Sequence, residues 1–118
     1  MKFKKDHARI LEKLTMNYQK MQEQLQNIAM QKQQYEAQKQ EYKQAEEEIG
    51  KASGKVYSTI GGVIIETTKE EALSNIKEKK EFVEMRLNLI SKQGDELSKK
   101  EAEMRAQINE AIKGFQEK

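Results

Sequence analysis

The sequence predicts a mainly α fold, a long antiparallel two-helix coiled coil interrupted by one central β-hairpin. Three observations predict it. Apolar residues recur at alternating steps of three and four through both flanks of the chain, the spacing of a coiled-coil seam. The composition is too polar for an ordinary globule: 36% of the 118 residues are hydrophobic, 36% are charged, and mean hydropathy is −1.00. A compact core usually takes nearer half the residues apolar. Finally, the β-branched residues gather at mid-chain, in GKVYSTIGGVIIETTKEEA around Gly61-Gly62.

The first helix is expected over about residues 6–49. A walk from Leu11 by alternate threes and fours meets Leu14, Tyr18, Met21, Leu25, Ile28, Tyr35, Tyr42 and Ile49, with polar residues only at Lys32, Lys39 and Glu46. The background of Gln, Lys and Glu suits helix formation, and the ten Gln between residues 19 and 44 avoid the seam, so they read as a solvated face. The helix is expected to end near Gly50.

The hairpin is expected over about residues 55–67, with strands near Lys55–Ile60 and Val63–Thr67. A Gly-Gly pair supplies the positive φ angles that a tight hairpin turn needs. In that register Val56, Ser58 and Ile60 share a face with Val63, Ile65 and Thr67, while Tyr57, Thr59, Ile64 and Glu66 occupy the other. A lone two-stranded hairpin is marginal in water, and this one is apolar on both faces. The helices are expected to spend their apolar residues on each other. Cover is therefore expected from other chains, which makes Val56, Tyr57, Ile60, Val63, Ile64 and Ile65 candidate assembly residues. A well-formed connecting loop is the blander reading, but a loop needs no six bulky apolar residues.

The second helix is expected over about residues 68–116. Thr68 with Glu71 fits a capping box, and Thr67 with Glu70 offers the same one residue earlier. Its walk runs from Leu73 through Ile76, Val83, Leu87, Ile90, Leu97, Met104, Ile108 and Ala111 to Phe115, with exceptions at Lys80, Gly94 and Glu101. Asp95–Lys99 and Glu96–Lys100 add i,i+4 pairs of favourable order. At ~1.5 Å per residue, each helix would run about 65–70 Å. Folding back at Gly61 sets Leu14 against Ile108, Tyr18 against Met104, Leu25 against Leu97, Tyr35 against Leu87 and Ile49 against Leu73. Every polar exception falls at heptad position a and faces an apolar partner, as Lys39 faces Val83, Lys80 faces Tyr42 and Glu101 faces Met21.

With the hairpin docked, the helix pair would project as an arm whose tip holds both chain termini. Phe3, Ile10, Met16 and Ile112 lie off the walk there, beside Leu11, Leu14, Ile108 and Phe115. Two readings stay open: frayed ends with a wide stripe, or a contiguous binding surface.

Chemistry that needs a pocket or a ligand cluster finds no support. His7 is the single histidine and there is no cysteine, so neither zinc nor any other metal site is expected, and no cofactor. Gly61-Gly62 lacks the Lys-Ser/Thr of a phosphate loop. Carboxylates lie on solvated helix faces, without the environment that acid–base catalysis requires. No enzyme is expected. Net charge is +2, although residues 1–20 carry six Lys/Arg against two acids. No aromatic platform interleaves with that basic segment, so no nucleic-acid partner is expected. No apolar run approaches the ~20 residues of a membrane span, and no signal-peptide core leads the chain. A soluble, cytoplasmic protein of one domain, residues 1–118, is expected.

Two long heptad helices of matched length, joined by VYSTIGGVIIETTKEEAL, resemble the β-class subunits of prefoldin, the hexameric co-chaperone. LISKQGDELSKKEAEM also has that family's look, and the resemblance spans essentially the whole chain. The one departure is an N-terminus richer in Lys. The resemblance implies an α2β4 hexamer containing an α-class subunit and further copies of this chain, with hairpins merged into an intersubunit β-barrel. It further implies an ATP-independent holdase whose arm tips bind unfolded client proteins and deliver them to a group II chaperonin. Phe3, Ile10, Leu11, Leu14, Met16, Ile108, Ile112 and Phe115 would then be client-binding residues. Two other function classes share the architecture: a structural coiled-coil scaffold or filament, and an adaptor whose arm docks one folded partner.

Overall fold

A computed structural model describes the backbone of residues 2–116 and the side chains of residues 5–114. Four elements follow in order: α1 (Lys2–Lys51), β1 (Val56–Ile60), β2 (Val63–Thr67) and α2 (Lys69–Gln116). The expected types and order hold. The first helix starts four residues earlier than the expected residue 6, because helix formers such as Lys extend a helix beyond its last seam contact.

The chain divides into two compact units. The first combines residues up to Gln31 with those from Ile90 onward. Here α1 and α2 meet along the expected register. Leu11, Leu14, Tyr18, Met21, Leu25 and Ile28 are half-buried, as are Leu97, Met104, Ile108 and Ala111, and Ile90 is buried. Gly94 sits under Ile28: a Cβ there would lie 3.3 Å from Ile28 Cγ2, so the absent side chain is the hole that this knob fills. His7 Nε2 lies 3.0 Å from the Ala111 carbonyl oxygen, a polar tie between the two helices.

The second unit, Lys32–Leu89, holds the hairpin. Antiparallel pairing runs from Val56 opposite Thr67 to Ile60 opposite Val63, matching the register expected from sequence. Gly61 and Gly62 take φ of 57° and 81°, a conformation that any Cβ would strain. Within this unit, Ala72 and Val83 are the buried residues that α2 contributes, with Leu73, Ile76 and Leu87 half-buried. No described side chain is less than 2% exposed, because a two-helix seam covers each side chain from one direction only.

The helix ends are tied locally. Thr68 caps α2, its Oγ1 accepting the Glu71 N–H at 3.1 Å. The other half of the expected capping box differs. The Glu71 carboxylate accepts the Thr67 hydroxyl at 2.9 Å, since that oxygen stands within reach on the last residue of β2. Lys69 Nζ donates to the Gly50 carbonyl at 2.8 Å, satisfying an acceptor that the end of α1 leaves open. Neither Asp95–Lys99 nor Glu96–Lys100 closes into an ion pair among the described residues.

Polar seam residues depart from the expectation of purely apolar partners. Lys80 Nζ reaches Glu46 Oε2 at 3.4 Å, and Lys39 Nζ reaches Glu84 Oε1 at 3.7 Å. Their stems lie in the seam while their charged heads swing to its rim and meet there.

Candidate functional site

The hairpin residues singled out from sequence lie on two open faces. Val56 is half-buried on one of them, but its face-mates Ile60, Val63 and Ile65 are 64%, 60% and 46% exposed. On the other face Tyr57 and Ile64 are exposed as well, Ile64 at 71%. Lys55 and Glu66 approach to 3.9 Å at the hairpin base, an exposed pair of small energetic weight. Neither helix of this unit shelters these side chains. The pleat alternates residues between faces, so two apolar faces are an arrangement that only further protein would cover.

Beneath β1 lies an open groove of about 540 Å³, lined by Tyr57 and Ile60 with Ala45, Ile49, Ile76 and Lys79. A second groove of about 450 Å³ runs between Tyr35, Tyr42 and Phe82, and shares Glu78 and Lys79 with the first.

In the unit containing both termini, the candidate client-binding residues divide by position. Ile10, Met16 and Ile112 stand off the seam and are exposed, at 56%, 53% and 38%. Leu11, Leu14 and Ile108 lie on the seam and are half-buried. Phe3 and Phe115 fall outside the residues whose side chains are described. A shallow surface on α1 joins Ala8, Leu11, Thr15 and Met16, and Thr15 turns its hydroxyl inward to the Leu11 carbonyl at 2.8 Å. That bond occupies the Thr15 donor on a surface that Glu12 and Gln19 also line.

One polar cluster crosses the seam of this unit. Tyr18 donates its hydroxyl to Glu101 Oε1 at 2.6 Å, and Arg105 Nη2 stands 3.6 Å from Glu101 Oε2. The hydrogen bond to Glu101, aided by burial and by the carboxylate charge, raises the Tyr18 phenol above its ordinary value. The Tyr18–Glu101 bond ties α1 to α2 across the seam.

Sequence reasoning missed Phe82, Met85 and Leu89, exposed at 54%, 59% and 58% on α2. They fall at heptad positions c, f and c, which a walk along a and d passes over. Their own i, i+3, i+7 spacing was the available signal. The helices therefore do not spend all their apolar residues on each other. Among the described residues, no group of three or more His, Cys, Asp or Glu is placed to hold a metal ion. No described helix is long and apolar enough to cross a membrane.

Comparison with known proteins fits this geometry. The chain is 43% identical over 58 residues to prefoldin subunit beta of Thermococcus kodakarensis, a match covering 49% of this chain and 50% of that protein. It is 41% identical over 59 residues to prefoldin subunit beta of Pyrococcus abyssi, covering half of each. These matches thus span about half the length of the curated relatives. The crystal structure of the prefoldin beta subunit from Thermococcus strain KS-1 superposes with a TM-score of 0.80 at 36% identity, covering 86% of this chain and 90% of that one. The beta2 subunit from the same strain, at 22% identity and a TM-score of 0.69, shares the fold over 75% of this chain and 97% of its own. The family described as prefoldin subunit matches residues 12–115, and the chain belongs to it.

Proposed function

We propose that this chain is a β-class subunit of a prefoldin-type holdase, a non-catalytic co-chaperone that works without ATP in the cytoplasm. Residues 1–118 act as one domain with two surfaces. The hairpin joins copies of the chain and an α-class subunit into an α2β4 hexamer with an intersubunit β-barrel. The surface around Ile10, Met16 and Ile112, together with Phe3 and Phe115, holds unfolded clients for delivery to a group II chaperonin.

The observation that carries the reading is the open apolar hairpin, with Ile64 at 71% exposure, in a chain of the prefoldin subunit family. Uncovered, such a hairpin would pair with anything; an obligate assembly is the arrangement that removes it from water. Capture then needs no reaction. Client apolar surface is removed from water at roughly 25 cal/mol per Å². Several arms acting together convert weak contacts into retention. Flexible Met16 suits clients of varied shape.

The test is binding of one model protein in its chemically unfolded and native forms, with no nucleotide present. The assembled complex is expected to retain the unfolded form and ignore the native one. Retention of a native partner alone would favour the adaptor, and retention of neither would favour the scaffold.

A further inference from the structure

The chain holds six methionines and neither cysteine nor tryptophan, so its thioethers are its main sites of two-electron oxidation. The fold sorts the described ones into two groups. Met21 and Met104 are half-buried in the seam, while Met16, Met30 and Met85 are exposed at 53%, 60% and 59%. Of the exposed three, Met16 alone lines the shallow α1 surface with Ala8, Leu11 and Thr15. Met30 stands roughly 21 Å further along α1 at the helical rise, and Met85 belongs to the Lys32–Leu89 unit. The hairpin is different: residues 55–67 contain neither Met nor Cys. The surface assigned to assembly therefore carries no sulfur, and the surface assigned to capture carries a thioether open to solvent.

An oxygen added to Met16 would be poorly served by its neighbours. Thr15 already donates its hydroxyl to the Leu11 carbonyl at 2.8 Å. Ala8 and Leu11 have no polar side-chain atom, and an ionised Glu12 only accepts. Gln19 is the residue lining this surface that keeps a side-chain donor to offer. Water would solvate the sulfoxide in the free protein, and an apolar client pressed onto it would strip that water away. Burying a polar oxygen without a full replacement bond opposes binding.

Resting on the reading that the surface around Ile10, Met16 and Ile112 holds clients, we propose that Met16 is a modification site. Its oxidation to the sulfoxide by a peroxide weakens client retention and leaves subunit assembly intact. In the step, the thioether sulfur gives an electron pair to one peroxide oxygen. The S–O bond forms as the O–O bond breaks, and sulfur is oxidised while the peroxide is reduced. The proton of the transferred hydroxyl passes to the departing oxygen, which leaves as water when the oxidant is hydrogen peroxide. A flexible apolar contact has become a polar one. Because the same contact repeats on every arm that carries this chain, the loss is multiplied across the assembly.

The test treats the assembled complex with graded hydrogen peroxide and desalts it before a chemically unfolded model protein is added. Three forms are compared, each against its own untreated sample: the parent, Met16→Leu, and Met30→Leu/Met85→Leu. Peptide masses report oxygen at each methionine, and size-exclusion chromatography reports assembly. Light scattering gives the amount of complex needed to halve aggregation. Met16 is expected to gain one oxygen before Met21 and Met104 do, at unchanged oligomer size. The oxidised parent and the double variant should then need roughly threefold more complex for the same suppression, and Met16→Leu no more than its untreated self. An equal loss in Met16→Leu overturns the proposal, as does full suppression by a parent oxidised at Met16. Resistance of Met16 to a dose that oxidises Met30 and Met85 overturns it too, and so does a change in oligomer size. An untreated parent that suppresses nothing refutes the client reading itself, and the proposal with it. Should Met16→Leu unfold, the double variant decides, since Met16 is then its one exposed methionine among the described residues. Lost suppression on oxidation supports the proposal there, and retained suppression contradicts it.

Discussion

Tyr18 and Glu101 illustrate how a polar residue is kept in an apolar seam. Glu101 occupies position a, where the register sets it opposite Met21. Instead of resting there it accepts the Tyr18 hydroxyl at 2.6 Å, with Arg105 on its other oxygen. The neutral phenol is the form that donates, so the fold raises its pKa. A group whose pKa is raised on folding contributes stability that is complete below its unfolded value, about 10 for tyrosine, and is lost as pH rises through the folded value. Thermal stability relative to a Tyr18→Phe variant is therefore expected to be highest at neutral pH. The gap should narrow above about pH 10, and comparing the two chains cancels the titration of the lysines. A gap independent of pH would contradict the assignment. The seam position of Glu101 was legible from heptad spacing. Its partner was not, because a hydroxyl one turn away in the layer geometry leaves no periodic mark.

At the scale of elements, the starts and stops are governed by short side chains and by glycine. Thr68 was legible as the cap of α2, since a hydroxyl before Lys-Glu-Glu has few other uses. Thr68→Ala is expected to cost about 1 kcal/mol, measured by urea unfolding at fixed chain concentration. Parental stability would mean that Thr67, bonded to Glu71, can replace it. The hairpin register was legible in full, because Gly61-Gly62 leaves one two-residue turn and the pleat then fixes every pair. The outer stripe of Phe82, Met85 and Leu89 escaped notice for the opposite reason. Heptad reading looks for residues that the helices bury against each other, and these three are left over for something else. Lys–Glu contacts were equally illegible: Lys80 with Glu46 and Lys39 with Glu84 form between helices, whereas the i,i+4 spacing pointed to pairs within one.

For the whole molecule, the account separates assembly from capture. Assembly is assigned to a hairpin whose apolar faces stay in water in the single chain, and capture to apolar residues beside the two termini. The fold and the family were legible because a coiled coil and a Gly-Gly hairpin each write their geometry directly into residue spacing. For the proposed client surface the sequence supplied position and the structure adds exposure. Leu11, Leu14 and Ile108 are half-buried in the seam, and Ile10, Met16 and Ile112 are the ones that stand clear of it.

The measurement that tests this division most directly is light scattering from an aggregating, chemically unfolded protein, without nucleotide. It is run with the full assembly and with an assembly whose subunits carry Ile10→Ser, Met16→Ser and Ile112→Ser. The account predicts that the parent suppresses aggregation and that the variant, at unchanged oligomer size, loses most of that suppression. Equal suppression by both would contradict it and place client capture elsewhere on the arms.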